Sequence, residues 1–509
     1  MKICIVGGGT AGWLAALFVA KIKPWIEVTV IESSAIGIIG AGEGSTGALV
    51  DVVTNRIWNF GCNEMDFLRE TGATLKYGIM HKAWTPNLDH SYFGPLGGTQ
   101  TSSAFIDYAF AYGLVNFPDK LHLATELGLL LENNLSNYNV QKFSLERTDS
   151  MGHALHFDAH KVGQYFKKIT LTSNNVLCLD DEVSEVVLNE QGLISSIKLK
   201  SNKTVEADFF IDASGFKRVL MTRLENKWVS YKKNLPVNAA LPFIEKQNDD
   251  YIPEPYTTAW AQKNGWMWVI PQQLKRGCGY VFCDEFTTPD QAQQEIETQL
   301  GRAIEPIRLL KFDTGRLENT WSRNCLAIGL CAAFAEPLEA TSIHTTVSQL
   351  TSFVFEFLKN TTEDTLNPGS ISAYNKRTNK LYDDLKDFLV MHYMGGRTDS
   401  EFWKYISAGN TKTEWVDLML ETAKTRMPSK GDVPDYLGAA GWGLWSYVMA
   451  GIGKIDSTLA EKELESVYYD TNVTLTDASK MYIEDLNIKF NNNARSYLAY
   501  DKFIRLIRS

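Results

Sequence analysis

The chain has 509 residues, with 50 Lys and Arg against 60 Asp and Glu and a formal net charge of -10. That balance argues against nucleic acid as a main partner. A hydrophobic content of 44% with 22% charged residues is that of a soluble globular protein, long enough for about two to four domains or one large core with insertions. The seven cysteines are scattered, with no C-x-x-C pair, which points to reduced thiols in a cytoplasmic protein rather than a disulfide framework. The apolar stretch from Leu437 to Ile452 contains Ser446 and several glycines and falls short of a membrane span. The N-terminus opens as a strand into a glycine turn, not as a signal peptide.

Residues 2–6 (Lys-Ile-Cys-Ile-Val) predict a short buried strand. Gly7-x-Gly9-x-x-Gly12 follows, then an apolar helix from Ala11 to Ala20, then a second strand from Val28 to Ile31 that ends at Glu32. Glu32 lies 32 − 12 = 20 residues past the last glycine. Glycines of this spacing allow a tight turn and close approach of backbone to a pyrophosphate, whose charge sits on the helix N-terminus, while the acid accepts hydrogen bonds from ribose hydroxyls. A lone glycine pattern is weak, but here strand, turn, helix, strand and acid fall in order, which predicts dinucleotide binding. The glycine-dense run from Gly37 to Thr46 rules out a regular element and suggests a loop pressed against a ligand.

Lys76 sits among apolar residues in Ala73-Thr74-Leu75-Lys76-Tyr77-Gly78-Ile79, as in a strand with one face buried. The segment Asp89 to Pro95 reads as a ligand-lining insertion or a surface loop. His153, His156 and His160 fall where a helical pattern is expected to open. Their spacing is suggestive of a metal, but no further Cys or His completes a ligand set, so packing and capping are the expectation. Val176 to Leu199 predicts strands around a turn at Glu190-Gln191-Gly192. Phe209 to Phe216 predicts a buried strand running into a glycine turn, a second place where a strand end can meet a nucleotide.

In Gly265-Trp266-Met267-Trp268-Val269-Ile270-Pro271, alternation puts Trp266 and Trp268 on one strand face. Cys325 to Leu330 predicts another buried strand and glycine turn. It leads into Glu336-Pro337-Leu338-Glu339-Ala340-Thr341-Ser342-Ile343-His344, after which Ile343, Val347, Leu350 and Val354 recur at helical spacing. Thr341 or Ser342 is then a natural N-cap. Such a helix start offers N–H groups and the positive end of the macrodipole to a small anion, although a capped helix after a proline turn explains the stretch equally well. From about residue 370 to 509 the pattern is helical, with no linker setting it apart, and it is expected to pack on the first part.

In this order, Gly7 to Trp13, the Leu-Lys-Tyr-Gly setting of Lys76, Trp266-Met267-Trp268-Val269-Ile270-Pro271 and Phe334 to Ile343 resemble the flavin-dependent halogenases, the family that includes the tryptophan halogenases. The resemblance spans residues 1 to about 355. The W-x-W-x-I-P run is its most discriminating part, because ordinary flavin monooxygenases share the glycine fingerprint but not this run. The implied fold is α/β: an FAD-binding Rossmann-like domain of the flavin monooxygenase type, with a mixed sheet insertion and a mostly helical C-terminal region. The expected layout is a core over 1–360, with a discontinuous flavin module at about 1–50, 150–225 and 310–360 and a substrate-side sheet between, followed by a helical region over 361–509.

The resemblance also implies a chemistry. Reduced FAD and O2 supply the oxidising power that turns a halide, chloride or bromide, into hypohalous acid. That acid travels to an electron-rich aromatic substrate such as an indole. Lys76 presents the halogen, by hydrogen bond or as a haloamine, and Glu339 polarises the same species and takes the arenium proton. The halide lies at Thr341 and Ser342, where the family often has Gly in place of the serine. Trp266 and Trp268 separate flavin from substrate. The implied FAD contacts are Gly9, Thr10, Ala11, Val183, Leu330 and Ile343, beside Gly7 and Gly12 of the fingerprint and Glu32 from the ribose argument. The expected partner is a separate NADH-dependent flavin reductase, with no metal, nucleic acid or membrane; a homo-oligomer is compatible with the sequence. Phe93 matches an aromatic that lines the substrate site, but the His expected two residues earlier is Ser91. No counterpart of the Tyr-Tyr and Glu set that holds free tryptophan is found between Tyr436 and Ile452, which points to an indole or another electron-rich arene. The alternatives are a single-component FAD aromatic monooxygenase, disfavoured by the W-x-W-x-I-P run and Lys76, and a non-catalytic flavin-binding protein, disfavoured by the presence of both Lys76 and Glu339.

Overall fold

The structure is a computed structural model, and it describes residues 1–36, 42–55, 58–97, 107–139, 152–433, 442–466, 468–470 and 473–509. The Gly37–Ala41 half of the glycine-dense loop lies outside the described residues, and so does 436–441 of the stretch searched for an amino-acid-binding set. The chain divides into two compact units. One comprises Met1–Ala73, Phe157–Lys232 and Asp313–Asp383; the other comprises Thr74–His156, Lys233–Phe312 and Asp384–Ser509.

The first unit is built on a six-stranded sheet in the order Trp321–Ser322, Cys325–Ala327, Phe209–Asp212, Lys2–Val6, Glu27–Glu32, Val176–Asp180. All neighbours are parallel except the first two, which form a hairpin. Lys2–Val6 is central and buried from Ile3 onward, as a continuous apolar run in a parallel sheet covered on both faces should be. The helix Thr10–Ile22 is buried without a break from Gly12 to Ala20, which matches a sequence that is apolar all round. Helix Ala159–Thr170 lies against its start: the Thr10 hydroxyl donates to the Ala159 carbonyl at 3.2 Å, and a Cβ on Gly163 would stand 3.7 Å from the Thr10 nitrogen. The core beneath gathers Cys4, Ile197, Phe210, Leu220, Met221, Cys325 and Tyr382.

The second unit carries the mixed sheet expected from the sequence. Its order is Leu310–Lys311, Ala239–Lys246, Lys275–Phe282, Gly265–Gln272, Tyr256–Ala261, Gly78–Lys82, Ser91–Pro95. Only Tyr256–Ala261 and Gly78–Lys82 run parallel. Two local expectations are corrected here. Ser91–Pro95 is a paired edge strand rather than a loop, with its proline at the strand end, where a missing N–H is tolerated. The segment His153 to His160 does not open a helix. Ala154–Phe157 is a buried strand, and the helix begins at Ala159 because Asp158 caps it, accepting from the N–H of His160 and Lys161. The three histidines therefore share no helical face. The C-terminal part is helical as expected, including Trp442–Gly451, Leu475–Ala494 and Tyr500–Arg508. No helix of the described residues is long and apolar enough to cross a membrane.

One buried acid in this unit titrates far from its usual range. Asp107 caps the helix Tyr108–Asn116 by accepting from the Phe110 N–H at 3.0 Å, is completely buried, and has a second oxygen with no hydrogen bond among the described residues. Burial pushes its carboxyl up to about 8. Because the folded value is raised, the protonated acid's contribution is fully present below the unfolded value, near 3.8, and is lost as pH rises toward 8. Asp107→Asn keeps the capping acceptor and removes the ionisation. Its urea midpoint should gain on the wild type between pH 4 and 8, by up to about 1.4 kcal/mol per pH unit. A difference that stays constant across that range would show that Asp107 does not carry the proton.

Candidate active site

The glycine turn of the first unit is shaped by contact. Gly7 has φ +125°, and a Cβ there would lie 2.2 Å from the Ala213 carbonyl oxygen; a Cβ on Gly12 would lie 1.9 Å from the Gly7 carbonyl oxygen. Neither position admits a side chain. Gly9 is different: a Cβ there would meet nothing within 4 Å, and as N-cap of Thr10–Ile22 it makes no side-chain cap bond. The backbone at this helix start is thus bare of side chains at Gly9, which leaves room for a pyrophosphate beside it. These residues fit FAD. Glu32 stands at the end of its strand as expected. Its carboxylate accepts from the Trp13 indole N–H at 3.2 Å and is ion-paired with Lys167, whose ammonium lies 5.7 Å over the Trp13 ring. Trp13 therefore aims the acid, and Lys167 is a partner that the sequence reading missed.

Leu330 belongs to the short helical turn Gly329–Cys331, and Ile343 to the helix Ser342–Ser352. A Cβ on Gly329 would lie 2.9 Å from the Ala11 Cβ and 3.7 Å from the Thr346 hydroxyl, so this turn, the fingerprint helix and the Ser342–Ser352 helix meet at one point. Val183 begins a strand of a separate three-stranded sheet in the same unit and packs against its core.

At the start of Ser342–Ser352 the capping expectation is half right. Thr341 occupies the N-cap, but its backbone is helical and its hydroxyl makes no cap bond. The hydroxyls of Thr345 and Thr346 turn back instead to the Ser342 carbonyl, at 3.0 and 2.8 Å. No side chain at the cap therefore accepts from the first-turn N–H groups, which leaves them suited to a small anion. The preceding turn is strained. Glu336 and Ala340 have φ +57° and +53°, left-handed values that cost of order 1–3 kcal/mol each for residues with a Cβ. The Ala340 N–H closes the turn on the Pro337 carbonyl at 3.1 Å, and half-buried Glu339 sits within it. His344, which the sequence reading passed over, fastens this helix to the end of the glycine-dense loop through a 2.7 Å hydrogen bond with the Thr46 hydroxyl.

In the second unit Lys76 ends the strand Thr74–Lys76 and is 0% exposed. The expectation was one buried face; all three residues of the strand are buried. His81 and His156 are both held well below the usual imidazole range, first by burial; the His392 ring and then the Lys76 charge lower His81 further, and the Lys76 charge lowers His156. Both are therefore neutral near pH 7. Trp266 and Trp268 lie on one face of Gly265–Gln272 as predicted, buried, with ring centroids 6.3 Å apart. Trp268 lies over Gly279 on the next strand, where a Cβ would be 2.2 Å from the indole; any larger residue would displace the ring. Phe93 is buried over Gly78 and edge-on to His122 and Tyr256. The register aligns Tyr92, His81, Ala259 and Trp268 in one row and Phe93, Met80, Thr258 and Val269 in the next, so Phe93 and the tryptophan pair occupy opposite faces of the sheet.

Lys76, Trp266, Trp268 and Phe93 thus belong to one unit, and the glycine turn, Glu32, Leu330, Glu339, Thr341, Ser342 and Ile343 to the other.

Comparison with known proteins covers nearly the whole chain. The tryptophan halogenase family profile matches residues 2–458. The tryptophan 7-halogenase KtzQ of Kutzneria sp. (strain 744) is 29% identical over 428 residues, covering 79% of this chain and 78% of that protein. The tryptophan 7-halogenase RebH of Lentzea aerocolonigenes is 27% identical over 462 residues, covering 86% and 85%. Among solved structures, Tar14, a tryptophan C-6 flavin-dependent halogenase (chlorinase) from taromycin biosynthesis, superposes with a TM-score of 0.87 at 26% identity over the whole of both chains. With a family match that runs from the first strand into the C-terminal helices, and the motifs in their expected elements, the chain belongs to the tryptophan halogenase family of flavin-dependent enzymes.

Proposed function

We propose that the protein is an FADH2-dependent halogenase that delivers hypohalous acid through Lys76 and Glu339 to an electron-rich arene such as an indole. When bound, reduced FAD with O2 supplies the oxidising power. Gly7, Gly9, Thr10, Ala11 and Gly12 cradle its pyrophosphate, Glu32 takes the ribose, and Val183, Leu330 and Ile343 line the rest, in a flavin module drawn from about 1–50, 150–225 and 310–360. The bare start of Ser342–Ser352, at Thr341 and Ser342, seats the halide. Trp266 and Trp268 separate flavin from substrate, which stops direct monooxygenation.

The observation that carries this reading is the complete burial of Lys76, a placement uncommon for lysine, on the strand that pairs with the buried His156 ribbon. Buried beside two neutral imidazoles, its amine can hold an electrophilic halogen in a space from which water is excluded. Glu339 serves as the acceptor for the proton that the arene loses. Two features favour an indole over free tryptophan. Tyr447, a tyrosine on the stretch where an amino-acid clamp would stand, is buried and donates its hydroxyl to the Leu121 carbonyl at 3.3 Å, and Ser91 replaces the expected histidine.

The test supplies a flavin reductase, NADH, O2, bromide and indole and looks for a brominated product by mass spectrometry. Hydroxylated indole, or NADH consumption without the reductase, would instead indicate a single-component monooxygenase, and inert protein that still binds FAD a non-catalytic one. Within the same assay Glu339→Gln should lower turnover by roughly 10²–10⁴-fold, the span of a general acid–base contribution, with FAD affinity within about twofold of wild type. A variant that keeps most of its turnover would remove Glu339 from the chemistry.

A further inference from the structure

The short strand that carries Lys76 is held by a histidine to which the halogenase motifs assign no role. Thr74–Lys76 pairs antiparallel with Ala154–Phe157 in the register Thr74↔His156, Leu75↔Leu155, Lys76↔Ala154. Pleating therefore puts Thr74, Lys76, Ala154 and His156 on one face of the two-stranded ribbon, with the small Ala154 opposite the lysine. His156 is fully buried, and both of its ring nitrogens are engaged: Nδ1 with the Thr74 hydroxyl at 3.4 Å and Nε2 with the Thr257 hydroxyl at 2.9 Å. The Thr74 hydroxyl in turn donates to the Pro271 carbonyl at 2.7 Å.

These bonds fix the tautomer. The Thr74 proton is committed to Pro271, so toward His156 its oxygen only accepts, and Nδ1 carries the hydrogen. Nε2 then has a lone pair and accepts from the Thr257 O–H. The imidazole is neutral, as burial and the nearby lysine charge require. The chain of bonds runs from Pro271, the last residue of the W-x-W-x-I-P run, through Thr74 and His156 to Thr257 on the neighbouring strand Tyr256–Ala261. It ties the ribbon bearing Lys76 to the same strand that bears Trp266 and Trp268.

We infer that His156 is the positioning residue of Lys76: as a neutral Nδ1–H imidazole it clamps the Thr74–Lys76 strand to the tryptophan-bearing sheet and thereby sets where the lysine amine meets hypohalous acid. The inference rests on the halogenase reading above. His156 does not touch the reacting atoms. What it governs is how much of the acid is captured rather than lost.

The consequence is a partition that a merely structural histidine does not move. In the reductase-coupled assay with bromide and indole, brominated indole is measured together with hypobromous acid that escapes and is trapped by monochlorodimedone. His156→Phe keeps the volume and loses both bonds; Thr257→Val keeps the shape and removes only the donor to Nε2; His156→Asn restores an N–H near the Nδ1 position. The ratio of brominated indole to escaped acid should fall at least tenfold in His156→Phe and severalfold in Thr257→Val, and recover in part in His156→Asn. FAD affinity and total acid formed should stay within about twofold of wild type. A wild-type ratio in Thr257→Val, or no recovery in His156→Asn over His156→Phe, overturns the positioning role; if His156→Phe does not fold, Thr257→Val decides alone. A wild-type protein that forms neither brominated indole nor hypobromous acid overturns the halogenase reading and this inference with it.

Discussion

Lys76→Ala is expected to abolish brominated indole while halide-dependent formation of hypohalous acid and peroxide continues. The argument begins with burial. An ammonium-bearing side chain at 0% exposure is a costly placement that a fold keeps only for a use. Within its own strand, Leu75 and Thr74 supply packing and the bond to Pro271. Truncation therefore removes the amine and leaves a cavity, but should not unfold the sheet. The strand belongs to a different unit from the glycine turn, so flavin affinity should be unchanged. Product should drop by more than about 10³-fold, in the range seen when a residue that acts on the reacting group is removed. Lys76→Met controls for the cavity: it restores the volume without the amine and should be as inactive as the alanine variant. If Lys76→Met halogenates at a tenth of the wild-type rate or better, the lysine acts by packing and the assignment fails.

The parts of this protein that sequence makes legible are those whose constraint is local. The strand, glycine turn, helix, strand and acid over residues 2–32 follow one another within a single unit of supersecondary structure, with Gly12 fixed by Gly7 a few residues away and Gly7 by the end of the adjoining strand. The alternation of Trp266 and Trp268 is likewise a property of one strand. What could not be read depends on register between distant segments. Lys167 reaches Glu32 across 135 residues, and Thr257 reaches His156 across 101. No periodicity in either segment encodes its partner. His156 was further hidden by a misassigned element: the histidine spacing imitates a helix, but the real start signal is Asp158, and everything before it pairs as strand. At Thr341 the residue type predicted a hydroxyl cap. The cap is absent because the chain enters the helix already in helical conformation after the strained Glu336 to Ala340 turn.

Asp212 is where the largest loss of stability should appear. It ends the strand Phe209–Asp212 beside the glycine turn, completely buried, and its two carboxylate oxygens divide four donors. Oδ1 accepts from the Ser214 N–H at 3.1 Å and the Ser214 hydroxyl at 2.5 Å; Oδ2 accepts from the Leu220 and Met221 N–H groups at 2.8 and 2.9 Å. The strand end is bonded in turn to both neighbours, with the Ala213 N–H on the Val6 carbonyl and the Ile328 N–H on the Asp212 carbonyl. Asp212→Asn keeps the shape but turns one oxygen into an NH2. An NH2 facing Leu220 and Met221 sets N–H against N–H and leaves two buried donors unmet; facing Ser214, whose hydroxyl can turn and accept, it leaves the Ser214 N–H, at about 1–3 kcal/mol for each unmet donor. Asp212→Ala abandons all four. We expect losses on the order of 2 kcal/mol for Asn and 5 kcal/mol for Ala, a large share of the 5–15 kcal/mol that holds a typical domain. Urea midpoints measure the difference, and FAD affinity should fall alongside, because the Ala213 carbonyl that Gly7 packs against hangs from this strand end. An Asn variant within about 0.5 kcal/mol of wild type would mean that the donor it leaves unmet finds another acceptor. The carboxylate would then be unnecessary to the wall of the flavin turn.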